Sequence, residues 1–337
     1  KGIRVVYDPR ELPAALSGAR AEAVKAFHDP RLFLEKYIET ARHVEIQILA
    51  DAHGNTLHLF ERECSAQRRH QKIIEESPSP LLHETMRAQM GAAAVEAAHA
   101  VGYENAGTVE FIATPDGKFY FLEMNTRLQV EHPVTELVTG LDIVKLQFLA
   151  AAGEPLPFTQ ADLSQRGHAI ECRIYAEDPY NEFLPAIGTI LRFIPPEGPG
   201  IRVDSGIQSG DDITIHYDPM IAKLIVYDSS RAGAIRRMQT ALDQTVILGA
   251  TTNIPFLQVL LAHPTFQAGD LDTRFVDTHL DTLLAQPSPV SDAALVTAAL
   301  LDMRGSRLGE GFTPSRTTID LETPDPWSRA DGFRPGG

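Results

Sequence analysis

Apolar positions in the first half of the chain recur with two different periods. Residues 11–27 (ELPAALSGARAEAVKAF) have helical spacing with an interruption at Gly18. Residues 32–38, 42–50 and 56–61 alternate or are β-rich, which predicts three strands. The last two flank Asp51-Ala52-His53-Gly54-Asn55, a turn-forming cluster. The Ala- and Met-rich residues 81–101 predict one helix. Strands are predicted at 106–114 and 118–126, around Pro115-Asp116-Gly117-Lys118, and a helix over 134–152 closed by Gly153 and Pro155. From Gly167 to Val226 short strand patterns alternate with Gly/Pro turns, which predicts an antiparallel, barrel-like unit. Two or three helices follow to about 285. From Gln286 onward Pro, Ser, Thr and Asp accumulate around one helical stretch, 291–303, the composition of a linker to another domain. No internal repeat occurs.

Composition narrows the function classes. Apolar residues make up 43% and charged residues 22% of the 337 positions, the balance of a globular protein. A prior of roughly 150 residues per domain gives about two domains. No run of about 18 apolar residues occurs, which argues against a membrane span. Forty-five acids against 30 bases give −15, which argues against broad nucleic-acid binding but leaves room for a local basic cleft. Cys64 and Cys172 alone supply no disulfide framework and no metal-finger spacing, so a reducing, cytoplasm-like compartment is the simpler setting.

The strands around Asp116-Gly117 carry the first chemical signal. A two-residue Asp-Gly turn places Pro115 opposite Lys118 and, five steps back, Glu110 opposite Glu123. Facing like charges destabilise a sheet. A divalent cation between them is one remedy, and Mg²⁺ takes carboxylate oxygens together with phosphate and water. Asn125, two residues past Glu123, falls on the same face. A solvated acidic face without an ion is the other reading. The two-residue period continues through Glu123, Asn125, Arg127, Gln129 and Glu131, a polar stripe that no core strand face would carry. A planar guanidinium in such a stripe suits a small oxyanion, and a nearby carboxylate can act as a base. The alternative is an exposed edge with an ion-pair ladder. In Ser65–Glu76 (SAQRRHQKIIEE), Arg68, Arg69, His70 and Lys72 concentrate cations in five residues. That is either a phosphate-facing loop or a charged loop balanced by Glu75 and Glu76.

Four segments, FLEKYIETARHVEIQILAD, QRRHQKIIEE, FLEMNTRLQVEHPVTE and ECRIYAEDP, resemble in order and spacing the biotin carboxylase family of the ATP-grasp superfamily. The resemblance runs from Lys1 to about His279 and is to the biotin carboxylase part of a biotin-dependent acyl-CoA carboxylase α subunit, of the methylcrotonoyl-, propionyl- or acetyl-CoA type. The tail DPWSRADGF is similar to the entry of the following region in methylcrotonoyl-CoA-type subunits. The implied fold is α+β: an N-terminally truncated ATP-grasp domain (1–165), the family's β-rich C-terminal domain (166–285), then a linker and the start of a subunit-interaction region (286–337).

The resemblance implies roles residue by residue. Glu35, Lys36, Tyr37 and Ile38 match the adenine-binding stretch, and His43, Gln67 and His70 match nucleotide-contacting positions. Glu110, Glu123 and Asn125 match the ligands of Mg²⁺ or Mn²⁺. Arg127, Gln129 and Val130 match the bicarbonate site, with Lys72 near bicarbonate or the transferred phosphate. Glu131 would remove the bicarbonate proton, and Arg173 would stabilise the biotin enolate. Read without the family, Arg173 is an ordinary strand ion pair with Glu171 or Glu177. The implied reaction is ATP-dependent carboxylation of biotin through carboxyphosphate, with biotin carried on another segment or subunit. Implied partners are a biotin carrier domain and a carboxyltransferase within an oligomer, in the cytoplasm or, in a eukaryote, the mitochondrial matrix.

The chain departs from the family in places. The family's N-terminal domain, upstream phosphate-binding lysines and most of its glycine-rich loop lack counterparts, with only Lys1-Gly2-Ile3-Arg4 matching the loop's end. Ala66 stands where many members have Met, and no AMKM-like biotin-attachment motif occurs. Two other assignments remain: the same step within a pyruvate carboxylase, or a non-catalytic nucleotide-binding piece if the fragment stands alone.

Overall fold

The stretch Arg42–Ala50 alternates polar and apolar residues, yet all nine are buried. A strand of that pattern needs cover on both faces, and the fold supplies it. The computed structural model describes residues 2–284 and 292–305. In chain order the helices and strands are α1 (Leu12–Phe27), β1 (Arg42–Ala50), β2 (Thr56–Arg68), β3 (Gln71–Ser77), α2 (Glu84–Ala100), β4 (Asn105–Ala113), β5 (Phe119–Asn125), α3 (His132–Thr139), α4 (Ile143–Ala151), β6 (His168–Tyr175), β7 (Glu177–Asp178), β8 (Leu184–Pro185), β9 (Gly188–Thr189), β10 (Arg192–Ile194), β11 (Ile201–Ser205), β12 (Asp212–Ile213), β13 (Met220–Asp228), α5 (Arg231–Gln244), β14 (Val246–Leu248), α6 (Ile254–Ala262), α7 (Pro264–Ala268), α8 (Phe275–Leu283) and α9 (Asp292–Gly305).

An eight-stranded antiparallel sheet, in the order β11-β13-β6-β3-β2-β1-β4-β5, organises the first of two units, residues 1–285. Val44, Ile46 and Ile48 of β1 pack with Val109 and Phe111 of β4 under Met86, Met90, Ala94 and Ala98 of α2. At the other end Ile170, Cys172 and Ile174 of β6 and Leu224 and Val226 of β13 pack with Ile235, Met238 and Leu242 of α5 and Phe256 and Leu260 of α6. The opposite face of the sheet carries His43, Glu45 and Gln47, and α3 reaches over it to Arg62 through Thr135. The second unit, residues 286–337, contains α9. Of the linker and subunit-interaction region expected over 286–337, only the helical stretch, α9, lies among the described residues, and the tail DPWSRADGF lies outside them.

The structure corrects several expected elements. Residues 32–38 form no strand: the free edges of the sheet are β5 and β11, and the segment pairs with neither. The helix expected over 134–152 is two: α3 ends at Gly140 (φ 74°) and α4 starts afresh on Asp142, whose carboxylate accepts from the Lys145 N–H. The strand expected at 56–61 runs on to Arg68 and turns at Arg69 and His70 (φ 48° and 67°) into β3, so the cation-rich segment is a hairpin. No barrel-like unit closes after Gly167: β6, β11 and β13 extend the main sheet, and the shorter strands pair in twos, β7 with β8, β9 with β12 and β10 with β14. Four helices, not two or three, follow β13 before residue 285.

Candidate active site

Strand register alone brings three carboxylates side by side. Glu123 on β5 faces Glu110 on β4, Glu110 faces Glu45 on β1, and Glu45 faces Arg62 on β2. The expected Glu110–Glu123 facing is present but arises by another route. The β4–β5 loop closes on Thr114 and Lys118, with Gly117 at φ 82°, because Pro115 has no N–H to close a two-residue turn. That displaces the register by one, and a bulge at Leu122 restores it.

Two cations neutralise the row. Arg62, completely buried, donates Nε to Glu45 (2.6 Å), Nη1 to Gln47 (2.7 Å) and Thr135 (3.1 Å), and Nη2 to Thr108 (3.1 Å). Lys72 Nζ donates to Glu45 (2.6 Å), Glu110 (3.0 Å) and Glu131 (2.7 Å). Burial alone would raise the Glu45 carboxyl, but Arg62 and Lys72 outweigh it and hold it at about 2. Burial likewise works against the charge of Glu110, and His43 and Lys72 overcome it. Burial would lower the Lys72 ammonium, and the carboxylates around it, Glu45, Glu131 and Glu110, hold it above the ordinary lysine range. A bulge at Ile73 puts Lys72 and Glu75, three residues apart, on the same face of β3.

Arg173 of β6 completes the arrangement. Its Nε donates to Glu75 (2.6 Å) and its Nη2 to Glu131 (3.0 Å). Its partners are therefore neither Glu171 nor Glu177, and Glu177 pairs with Arg68 instead. Glu75 and Glu76 do not balance a loop either, since Glu76 pairs with His168 and Arg231. The polar stripe leaves the strand at Asn125, and Glu131 sits fully buried at the start of α3, between Lys72 and Arg173.

Above this network lies a cleft of about 480 Å³. Of the sequence-predicted residues, His43, His70, Lys72, Glu110, Glu123, Asn125, Arg127, Gln129, Val130 and Arg173 line it, with Glu131 beneath. Gln67 is buried opposite Lys72 and bonds the Cys64 carbonyl oxygen (3.4 Å) rather than facing the cleft. Glu35, Lys36, Tyr37 and Ile38 belong to the irregular segment and are not among the lining residues; Lys36 lies 5.9 Å from the ring of Tyr120 on β5. Glu45, Arg62 and Glu75 escaped the sequence reading. The polar alternation His43, Glu45, Gln47 inside an otherwise apolar strand was the available signal for the first.

A divalent cation fits the rim of the cleft. Glu110 and Glu123 offer oxygens from facing positions, Glu123 has no ion-pair partner among the described residues, and the cleft side is open to further oxygen ligands. Glu110 also accepts from Asn125 (2.9 Å) and Gln129 (3.0 Å), and His43 Nε2 lies 2.9 Å from its other oxygen. His43, Glu45 and Glu110 place ligand atoms within 4.8 Å of one another.

Two family models match: the carbamoyl-phosphate synthase L chain ATP-binding domain over residues 1–159 and the biotin carboxylase C-terminal domain over residues 171–278. The chain is 47% identical over 335 residues to the alpha subunit of the mitochondrial methylcrotonoyl-CoA carboxylase of Dictyostelium discoideum, covering 99% of this chain and 47% of that protein. It is 52% identical over 278 residues to a pyruvate carboxylase subunit of Methanothermobacter thermautotrophicus, covering 82% and 56%. The biotin carboxylase domain of Hydrogenobacter thermophilus 2-oxoglutarate carboxylase, crystallised as a dimer with MgADP, ADP and bicarbonate, superimposes with a TM-score of 0.81 at 47% identity, covering 85% of this chain and 63% of that one. The chain thus spans about half the length of these two curated relatives.

Arg62 makes a stability prediction. Arg62→Met strips Glu45 of its guanidinium in a buried site, and the expected loss is about 3–5 kcal/mol in urea unfolding. Arg62→Met combined with Glu45→Met should lose less than the single variant. A single variant within about 1 kcal/mol of the parent would contradict the network's role.

Proposed function

This chain belongs to the biotin carboxylase family of ATP-grasp proteins, and we propose that its cleft carboxylates protein-linked biotin with bicarbonate at the expense of ATP. The observation that carries the reading is Glu131, a buried carboxylate clamped between Lys72 and Arg173 beneath a cleft lined by Arg127. In this reading Arg127 receives bicarbonate, with Gln129 and Val130 beside it. An anion arriving there competes for Lys72 and Arg173 and frees an oxygen of Glu131 to take the bicarbonate proton. Arg173, no longer fully committed, faces the ureido oxygen of biotin as charge develops on it. Lys72 neutralises charge on the transferring phosphoryl group. Glu110 and Glu123 would hold Mg²⁺ or Mn²⁺, with Asn125 alongside, and the metal would supply charge neutralisation on the nucleotide phosphates. His43, His70 and the segment Glu35–Ile38 would meet the nucleotide.

The acyl-CoA carboxylase setting, of methylcrotonoyl-CoA type, is favoured because that relative aligns over 335 residues and the pyruvate carboxylase one over 278. A biotin carrier domain and a carboxyltransferase would be the partners. The two free, buried cysteines suit a reducing compartment, cytoplasm or mitochondrial matrix. The domain division proposed is ATP-grasp to residue 165 and the family C-terminal domain to 285.

Two measurements test the assignments in the longest natural polypeptide that carries this chain. ADP release and biotin carboxylation are followed side by side. Arg173→Ala should lose biotin carboxylation by on the order of 10²–10³ and keep much of the bicarbonate-dependent ATPase, because Lys72 still holds Glu131 and Arg127 still receives bicarbonate, whereas the ureido oxygen loses its donor. Glu131→Gln should lose both. Equal loss in Arg173→Ala would move that residue to the bicarbonate site or the fold. For the metal, Glu123→Gln should weaken Mn²⁺ binding measured by paramagnetic resonance, and unchanged affinity would remove Glu123 from the ligand set.

A further inference from the structure

Behind Arg173 lies a pair of carboxyl groups that the reaction above does not use. Glu75 and Glu171 face each other across β3 and β6, and both are completely buried. Glu75 gives one oxygen to Arg173 Nε. Its other oxygen and both oxygens of Glu171 have no hydrogen-bond partner among the described residues. Buried polar atoms are rarely left so, and three orphaned acceptors side by side call for a donor that lies between them. The flank is apolar: Glu171 sits opposite Ile225 of β13, which clusters with Ala169, Val134 and Val138.

The charged and titratable groups around the pair are Arg173, Tyr175 and the buried thiol of Cys172 on β6, Lys72 on β3, the buried thiol of Cys64 on β2, Glu131 at the start of α3 and Lys223 on β13. Lys223 is committed elsewhere, to the Val130 carbonyl oxygen (2.6 Å) and to Asp204 (3.5 Å). Arg173 is shared with Glu131. Two adjacent buried carboxylates with half a guanidinium between them do not both ionise. Burial, with Glu75 beside it, pushes the Glu171 carboxyl well up, and burial pushes Glu75 up to about 7 against the pull of Arg173.

We propose that Glu75 and Glu171 hold a single proton between them, donated by Glu171 to the free oxygen of Glu75, and that Glu171 is thereby a positioning residue for Arg173. The pair then presents one negative charge to the guanidinium. That charge anchors Nε, while Nη2 stays shared with Glu131 until an arriving anion displaces it. Loss of the proton would add a second charge behind Arg173 and draw it inward. The positioning role rests on the reading of Arg173 given above, whereas the shared proton does not.

Infrared spectroscopy of the 337-residue chain at neutral pH tests the proton directly. A carboxylic-acid C=O band, displaced by ¹³C-labelled glutamate and lost in Glu171→Gln, is expected; its absence, or its persistence in that variant, overturns the proposal. Stability gives a second readout. The folded chain keeps a proton that the unfolded chain loses near about pH 4.3, so this pair's contribution to stability falls as pH rises above that value. Glu171→Gln should flatten that slope, and an unchanged slope counts against the proposal. Should Glu171→Gln fail to fold, Glu171→Met, which also removes the acid, carries the same two tests. In the longest natural polypeptide, Glu171→Gln should retain biotin carboxylation at neutral pH and move its alkaline limb upward by at least about one pH unit. A folded Glu171→Gln that loses carboxylation by on the order of 10²-fold at neutral pH would overturn the positioning role. An acid band combined with an Arg173→Ala variant of full activity would leave the proton in place and remove the function assigned to Arg173.

Discussion

Three glutamates in a row across neighbouring strands are the constraint on which the rest of this structure depends. Glu123, Glu110 and Glu45 repel one another, and two of them are buried. The sheet tolerates the row because Arg62 closes one end and Lys72 bridges the middle, reaching on to Glu131. Isolated buried charges of this kind cost several kcal/mol each, so the arrangement holds only with every partner in place. The apolar face of the same strands, under α2, supplies the burial that fixes their register.

The cations balancing those carboxylates are also the groups that an incoming anion would meet. Lys72 and Arg173 meet at Glu131, one on each oxygen. A site prepared this way needs little reorganisation when substrate charge arrives, because the compensating groups are already aimed. The folding problem and the chemical problem thus share one solution: charge held in balance by partners that can be exchanged.

Much of this was legible in the sequence, and the failures have physical causes. The strand at 42–50 and the facing of Glu110 and Glu123 follow from a two-residue period and a turn. The turn itself was misread, since Pro115 lengthens it, and a bulge at Leu122 cancels the error. Bulges leave no mark in a periodic pattern, which is also why Lys72 and Glu75 were not seen to share a face. Residues 32–38 look like a strand because β-propensity measures fit to a pleated surface, yet the segment pairs with neither edge strand, β5 or β11. Arg62, Glu45 and Glu75 were missed because a charge buried by tertiary contacts looks, in sequence, like a charge in water. Their roles emerged only from cross-strand pairing.

In the function proposed above, the cleft takes bicarbonate beside Arg127. Carbon-13 line broadening of labelled bicarbonate, titrated with the folded chain, measures it without requiring turnover. Saturable broadening is expected, abolished in Arg127→Ala while the variant stays folded. Broadening that does not saturate, or that survives unchanged in Arg127→Ala, would contradict it.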